Sequence, residues 1–413
     1  MAVNRVVITG VGAVSPYGIG ADRLLAELFA GSSAVRNYPE LATIGGMHSF
    51  VAARVPDIEQ DARKIPRKHR RSMSGQSIYA LLACREALAA AGLGEEICGS
   101  GRLGLAIGST LGSVQTSEDF FRDFFKDQSL ERMKSTTFFR LMNHSAASNV
   151  AQSLGVTGRV LAPAAACATG CLAVGLGYEQ IAAGRTEMVL CGGSDEFHPL
   201  TIGTFDVMNA ASREFNQQPE KTPRPFDRDR DGIVCGEGAG ILLLESFDSA
   251  RARGATVIAE IGGFATSSDP GSIANPDGSA MAACMGAALN DAGLDPSEIG
   301  YVNAHATATV QGDIAESEAI RELFGCDIAV SSLKGHMGHT MAASGSLELI
   351  ATVGMLREKR LIPTLNLEHV DTACAPLNYL QDVAPAPEAR AMMKNSFALG
   401  GVNSSIVIKE MEI

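Results

Sequence analysis

The sequence is short of several things, and each shortage excludes a class of protein. No apolar run approaches the ~20 residues that a membrane helix needs; the strongest, Gly240–Glu245 (GILLLE), reads as a buried strand. The N-terminal MAVNRVVITG lacks the charged start, long apolar stretch and small-residue cleavage site of a secretory leader. Basic residues are too few for a general nucleic-acid binder: 34 Lys and Arg face 46 Asp and Glu, a net charge of −12. The nine cysteines contain no CxxC and no regular framework, so reduced thiols in a cytosol are expected. Charged residues reach only 19% against 46% hydrophobic, which excludes a disordered chain.

What is present is length and glycine. At 413 residues, with roughly 150 per domain, two or three units are expected, large enough to need no disulfide or metal staple. Tryptophan is absent, but there are 44 glycines, many clustered beside apolar runs as in GVGAV, CGGSD, GEGAG and ALGGV. That texture belongs to an α/β fold with buried strands and tight turns at their ends. Strands are predicted at 5–9, 103–107, 159–161, 188–190 and 241–245, with helices at 21–30, 74–91, 143–153 and 167–183. A comparable series follows: strands at 257–261, 300–304, 328–331, 391–397 and 404–408, and helices at 279–292, 313–323 and 342–356. No residue-level repeat is visible between them. The polar stretch ARARGAT, Ala250–Thr256, marks the boundary, giving halves 1–252 and 253–413.

Several motifs have plain structural readings. Gly10 and Gly12 follow a strand as in a dinucleotide fold, but Ser15 occupies the third glycine position and no acid ends a second strand, so a structural turn is expected. Asp227, Asp229, Asp231 and Gly232 begin like a calcium loop, yet Gly238 stands where its bidentate glutamate belongs, which leaves a turn laced with Arg–Asp pairs. Ser331-x-x-Lys334 has a penicillin-binding spacing without the companion KTG, and Ser331 falls in a strand.

More chemistry lies in AAACATGCLAVGLGYEQIAAG. Cys167 stands at a predicted helix start, where free N–H groups and the helix dipole lower a thiol pKa and can hold an oxyanion. A buried cysteine is more often an inert core residue, and Cys171, one turn further on, is the packing cysteine of the two. A nucleophile needs a partner for protons or charge. His305, His336 and His339 follow predicted strand ends. His336 and His339 have an i, i+3 spacing that could hold zinc, but no third ligand follows closely and Lys334 would repel a cation, so no metal is expected. Arg63, Lys64, Arg67, Lys68, Arg70 and Arg71 make a basic cluster with no acid among them. It reads as a solvated helix face, or, on so acidic a chain, as a dock for a small acidic partner.

Taken together, ACATG, RPFDRDRDGIVCGEGAG, NAHATAT and the Lys-x4-His of KGHMGH, in that order between VVITGVGAVSP and NSFALGGVNSS, resemble the elongating β-ketoacyl-acyl carrier protein synthases of the thiolase superfamily. The resemblance implies a five-layered αβαβα fold of two similar halves, and a homodimer. It further implies decarboxylative condensation of an acyl group with malonyl-acyl carrier protein, with no cofactor. Cys167 would be the nucleophile, His305 and His339 its partners, Lys334 the lysine supporting the second histidine, and Glu348 the buried acid near it. Phe397 would stand over the malonyl carboxylate, and the N–H groups of Cys167 and Leu399 would hold the oxyanion. Thr307 and Thr309 would touch pantetheine; Arg63, Lys64, Arg67 and Lys68 would dock the carrier protein.

Departures cluster around this constellation. Ala306, Ala308 and Val310 replace glycine, serine and proline, Gly335-His336 replaces a small hydroxyl residue and its neighbour, and Ala398-Leu399 replaces Gly-Phe, shrinking the aromatic gate. They favour a specialised synthase of polyene or polyketide type over primary fatty-acid elongation. Three other readings compete. A non-decarboxylating thiolase would carry a second cysteine after Ala391, and none is present. A chain-length partner subunit would lack the nucleophile, although such a subunit could complete a heterodimer with this chain. A carrier-protein scaffold would not need the triad.

Overall fold

A computed structural model describes residues 4–411. The first three and last two residues, and with them part of the leader-peptide reading, lie outside the described range. The principal elements are β1 (Val6–Ser15), α1 (Gly75–Ala90), β2 (Leu103–Gly108), α2 (Val114–Phe125), α3 (Ser145–Leu154), β3 (Val160–Leu161), α4 (Thr169–Ala182), β4 (Met188–Asp195), α5 (Pro199–Val207) and β5 (Gly238–Ser246). The second series is β6 (Ala259–Ser268), α6 (Gly278–Ala292), β7 (Ile299–Asn303), α7 (Val310–Phe324), β8 (Ala329–Ser331), α8 (Ser344–Glu358), β9 (Asn378–Tyr379), β10 (Ala391–Phe397) and β11 (Val402–Lys409). Helices α2 and α5 fall in stretches to which the sequence reading assigns no helix or strand.

The strand order explains why two halves resemble one another without a sequence repeat. One half runs β3-β2-β4-β5-β1, parallel for the first two pairings and antiparallel for the last two. The other runs β8-β7-β10-β11-β6 with the same sequence of directions, and β9 adds an edge. The halves are stitched where Val6, Val7 and Ile8 pair with Ile261, Glu260 and Ala259. Helices α1 and α3 cover one outer face, α6 and α7 the other, and α4 and α8 lie between the two sheet halves. This is a five-layered αβαβα arrangement.

The glycines of β1 serve packing. The strand continues through Gly10 and Gly12 instead of turning after Thr9. A Cβ at Gly10 would lie 2.1 Å from the Ala87 carbonyl oxygen and one at Gly12 2.0 Å from that of Ala83, both on α1. Bare backbone there lets the helix lie against the sheet. Helix α8 is buried from Ser344 to Leu356, in keeping with an apolar pattern that runs around the helix. It meets α4 at glycines: a Cβ on Gly170 would sit 2.4 Å from the Ala342 oxygen, and one on Gly345 2.7 Å from the Cys171 nitrogen. Two helix N-termini are thereby brought together at the centre of the molecule.

Candidate functional site

Cys167 sits in a single 3-10 turn, Ala166–Ala168, that precedes α4, so the regular helix begins two residues later than the sequence predicts. Ala166 is left-handed, φ 44°, an uncommon state for a residue with a Cβ and one often found at functional turns. Thr169 Oγ1 steadies the approach by accepting the Ala165 N–H at 2.8 Å. The thiol's acidity differs from the helix-start expectation. Burial pushes the thiol pKa up to about 11, outweighing Lys334 and the Leu399 and Cys167 N–H groups, which favour the thiolate. At neutral pH Cys167 therefore rests as a thiol, surrounded by groups that favour its anion.

His305 follows β7 on a loop held by carboxylates of α7. Glu316 accepts the His305 N–H at 2.8 Å and the Ala306 N–H at 2.7 Å. Asp313 accepts the Ala308 N–H at 3.1 Å and the Phe226 N–H at 2.8 Å. These bonds fix a turn in which Ala308 takes φ 65°. His339 is set by its own neighbour: the Met341 N–H donates to its Nδ1 at 3.0 Å, which places the ring proton on Nε2. That Nε2 has no hydrogen-bond partner among the described residues. The two rings stand nearly perpendicular, 86°, with centroids 5.3 Å apart. One ligating atom each from Cys167, His305 and His339 lies within 4.8 Å of the others. Burial, then the positive charge of Lys334, drives His305 well below the usual imidazole range and His339 down to about 3, so both are neutral near pH 7.

Behind the rings is a buried charge chain. Lys334 Nζ donates to Glu348 Oε1 at 2.8 Å, and Ser344 Oγ donates to the same oxygen at 2.7 Å. Lys394 Nζ lies 2.8 Å from Glu348 Oε2. Burial would raise the Glu348 carboxyl, but the two ammoniums outweigh it and hold the group down to about 2. Sequence reading missed Lys394, Glu316, Asp313 and Asp195. The last closes the site from β4, accepting the Ala342 N–H at 2.9 Å and the Ser109 hydroxyl at 2.7 Å. For Lys394 a signal existed, a lone lysine in the apolar strand AMMKNSF.

The site opens on a cavity of about 400 Å³ lined by Cys167, both histidines, Thr307, Thr309, Phe397 and Leu399. The Phe397 ring lies 6.5 Å from that of His305, and the Thr307 and Thr309 hydroxyls are 3.0 Å apart. Other readings resolve differently. His336 bonds the Pro363 carbonyl at 2.9 Å from a fully buried position and takes no part in the cluster. Asp227 and Asp231 accept backbone N–H groups of Asp229, Glu368, His369, Arg213 and Glu214, and so lock a turn. Ser331 Oγ donates to the Ile362 carbonyl. The basic cluster is less bare than its sequence implies: Arg63 pairs with Glu59 at 2.5 Å and Lys64 with Asp61 at 2.7 Å, one turn back. Arg67 and Lys68 are exposed on the short helix Arg67–Arg70.

Comparison with known proteins agrees with this geometry. Residues 3–250 match the beta-ketoacyl synthase N-terminal domain and residues 258–368 the C-terminal domain. The 3-oxoacyl-[acyl-carrier-protein] synthase 2 of Vibrio cholerae is 35% identical over 100% of both chains. A crystal structure of a beta-ketoacyl synthase from Burkholderia phymatum is 43% identical with a TM-score of 0.95, covering 99% of this chain and 100% of that one. The ishigamide ketosynthase/chain length factor is 31% identical, with a TM-score of 0.91 over 100% of both chains. The chain belongs to the β-ketoacyl synthase family and is a condensing enzyme of the acyltransferase class.

Proposed function

We propose that this chain condenses an acyl group held on Cys167 with a malonyl group, both delivered by acyl carrier protein, to give a β-ketoacyl thioester longer by two carbons. The observation that carries the reading is a buried thiol with two neutral imidazoles, one of whose protons is fixed on a free Nε2. Residues 1–252 supply the nucleophile and residues 253–413 the imidazoles and Lys334. In acylation Cys167 Sγ attacks the incoming thioester, its proton passes to the departing pantetheine thiolate, and the Cys167 and Leu399 N–H groups hold the oxyanion. In decarboxylation the malonyl C–C bond breaks, carbon dioxide leaves, and His339 Nε2–H with His305 stabilises the enolate oxygen. The carbanion attacks the acyl carbonyl, Cys167 leaves as thiolate, and it regains a proton from solvent.

Phe397 would stand over the malonyl carboxylate and Thr307 and Thr309 along pantetheine. Exposed Arg67 and Lys68, aided by Arg63 and Lys64, would meet the acidic carrier protein in the cytoplasm. The name of the Vibrio relative supports a carrier-protein substrate. Leu399 in place of an aromatic gate, and the likeness to the ishigamide ketosynthase/chain length factor, support a polyketide or polyene pathway and a dimer whose second subunit is this chain or a chain-length partner.

Intact-protein mass spectrometry with a panel of acyl-carrier proteins tests the reading. The expected result is an acyl adduct on Cys167 that disappears as a β-ketoacyl product forms when malonyl-carrier protein is added. Absence of an adduct from every donor, with or without a chain-length partner, would overturn it.

A further inference from the structure

Lys394 has no part in the reading above, although it is a fully buried lysine in the middle of a sheet. It lies on β10 between Asn303 of β7 and Ile406 of β11, so no route to solvent is open along the strand. A long side chain with a charged end is placed there at high desolvation cost, and only partners that use the charge can offset it. The partners are the Glu348 carboxylate, 2.8 Å from Nζ, and the neighbouring Asn395 carbonyl. Glu348 is thus clamped from both sides, with Lys334 on Oε1 and Lys394 on Oε2. One ammonium would suffice to neutralise one carboxylate. The second leaves the Lys334–Glu348–Lys394 chain with an excess positive charge behind His305 and His339.

The geometry points to Lys394 as a positioning residue for the decarboxylation step: through Glu348 it fixes Lys334 behind the imidazoles, and its charge favours the anion that develops in front of them. This rests on the condensation reading. The groups that share this interior are Glu348 from α8, Lys334 and His339 from the segment before it, His305 from its loop, Glu316 from α7 and Cys171 from α4. Among them the carboxylates alone oppose the two ammoniums, and Glu316 is already held by two backbone N–H groups. Removing Lys394 leaves Glu348 paired with Lys334 alone and takes away the surplus positive charge that opposes protonation of the rings.

The test separates the half-reactions in the full-length enzyme. Lys394→Met, close in volume but neutral, is expected to slow malonyl decarboxylation about 10-fold or more while slowing acylation of Cys167 far less, and to move the acidic limb of the decarboxylation profile to higher pH. Lys394→Ala, assayed with and without methylammonium, asks whether a free cation in the vacated space restores the limb. Equal slowing of both half-reactions, or an unmoved limb without rescue, would overturn the proposal and reduce Lys394 to a packing role. Cys167 acylation in the unaltered enzyme stands apart from these outcomes, so failure of the condensation reading is distinguishable.

Discussion

The two helix starts that meet at the centre of the molecule share one design and differ in one atom that matters. Ala166-Cys167-Ala168-Thr169-Gly170 enters α4, and Met341-Ala342-Ala343-Ser344-Gly345 enters α8. Each begins with a left-handed residue, φ 44° at Ala166 and 55° at Met341, and each has a glycine against the other helix. Yet the first turn carries a thiol and the second a methyl group. The Ala342 N–H is given to Asp195 and that of Met341 to His339 Nδ1, so the second turn builds support where the first leaves the Cys167 N–H for the sulfur. The two turns share a backbone plan, and a single sulfur on one Cβ distinguishes them.

The strongest way to break this comparison is to move the thiol. Cys167→Ala should lower condensation at least about 1,000-fold with no adduct by mass, while urea stability stays within about 1.5 kcal/mol. Adding Ala342→Cys to that variant should restore neither adduct nor product, since the second turn's N–H groups are already bonded. Activity in the double variant would show that the turns are interchangeable. A smaller effect is expected from the crossing point. Gly170→Ala and Gly345→Ala should each destabilise by about 1–3 kcal/mol in urea melts, because the new Cβ meets backbone. Gly286→Ala on α6, where nothing lies within 4 Å, should instead gain up to about 1 kcal/mol. Equal losses at Gly170 and Gly345 would sharpen the symmetry, and a neutral result at either would break it.

Acid should expose the second half before the first. Burial holds His336 down to about 4 and His339 to about 3, whereas in the unfolded chain both take up protons near pH 6.5. Folded-state pKa values below the unfolded value mean stability that is whole above pH 6.5 and lost as pH falls toward 3. The slope should reach about 1.4 kcal/mol per pH unit for each histidine, and with His305 also held low by burial, His336→Gln should remove one of three contributions. Loss from Glu348, held at about 2, follows only below about pH 4.5. Urea titrations across pH 3–8 would show the order. The smallest effect lies at the surface: Arg67→Glu with Lys68→Glu should raise KM for carrier-protein substrates about 3–10-fold at low salt and leave kcat alone. An unchanged KM would remove the patch from the docking reading.

Much of this protein was legible in local pattern. Buried apolar runs marked the strands, helical spacing marked α1, α6 and α8, and ACATG, NAHATAT and KGHMGH held the thiol and the two imidazoles, because each signal lies within a few neighbouring residues. Helices α2 and α5 were not legible: neither stretch was given a helix or strand from sequence. The supporting carboxylates were hidden for another reason. Glu316 and Asp313 look like ordinary polar residues of an amphipathic helix until the loop before them folds back to offer its N–H groups, and Asp195 becomes a ligand for Ala342 only when β4 meets α8.

Alone, the sequence determined element types, the reactive residue types and their order, since these follow from side-chain chemistry and periodicity. Tertiary structure decided the protonation states and the partners. A thiol pushed up to about 11, two imidazoles held neutral and a glutamate clamped between two lysines all arise from burial and from charges brought together across two sheet halves, and desolvation has no value until the chain is packed.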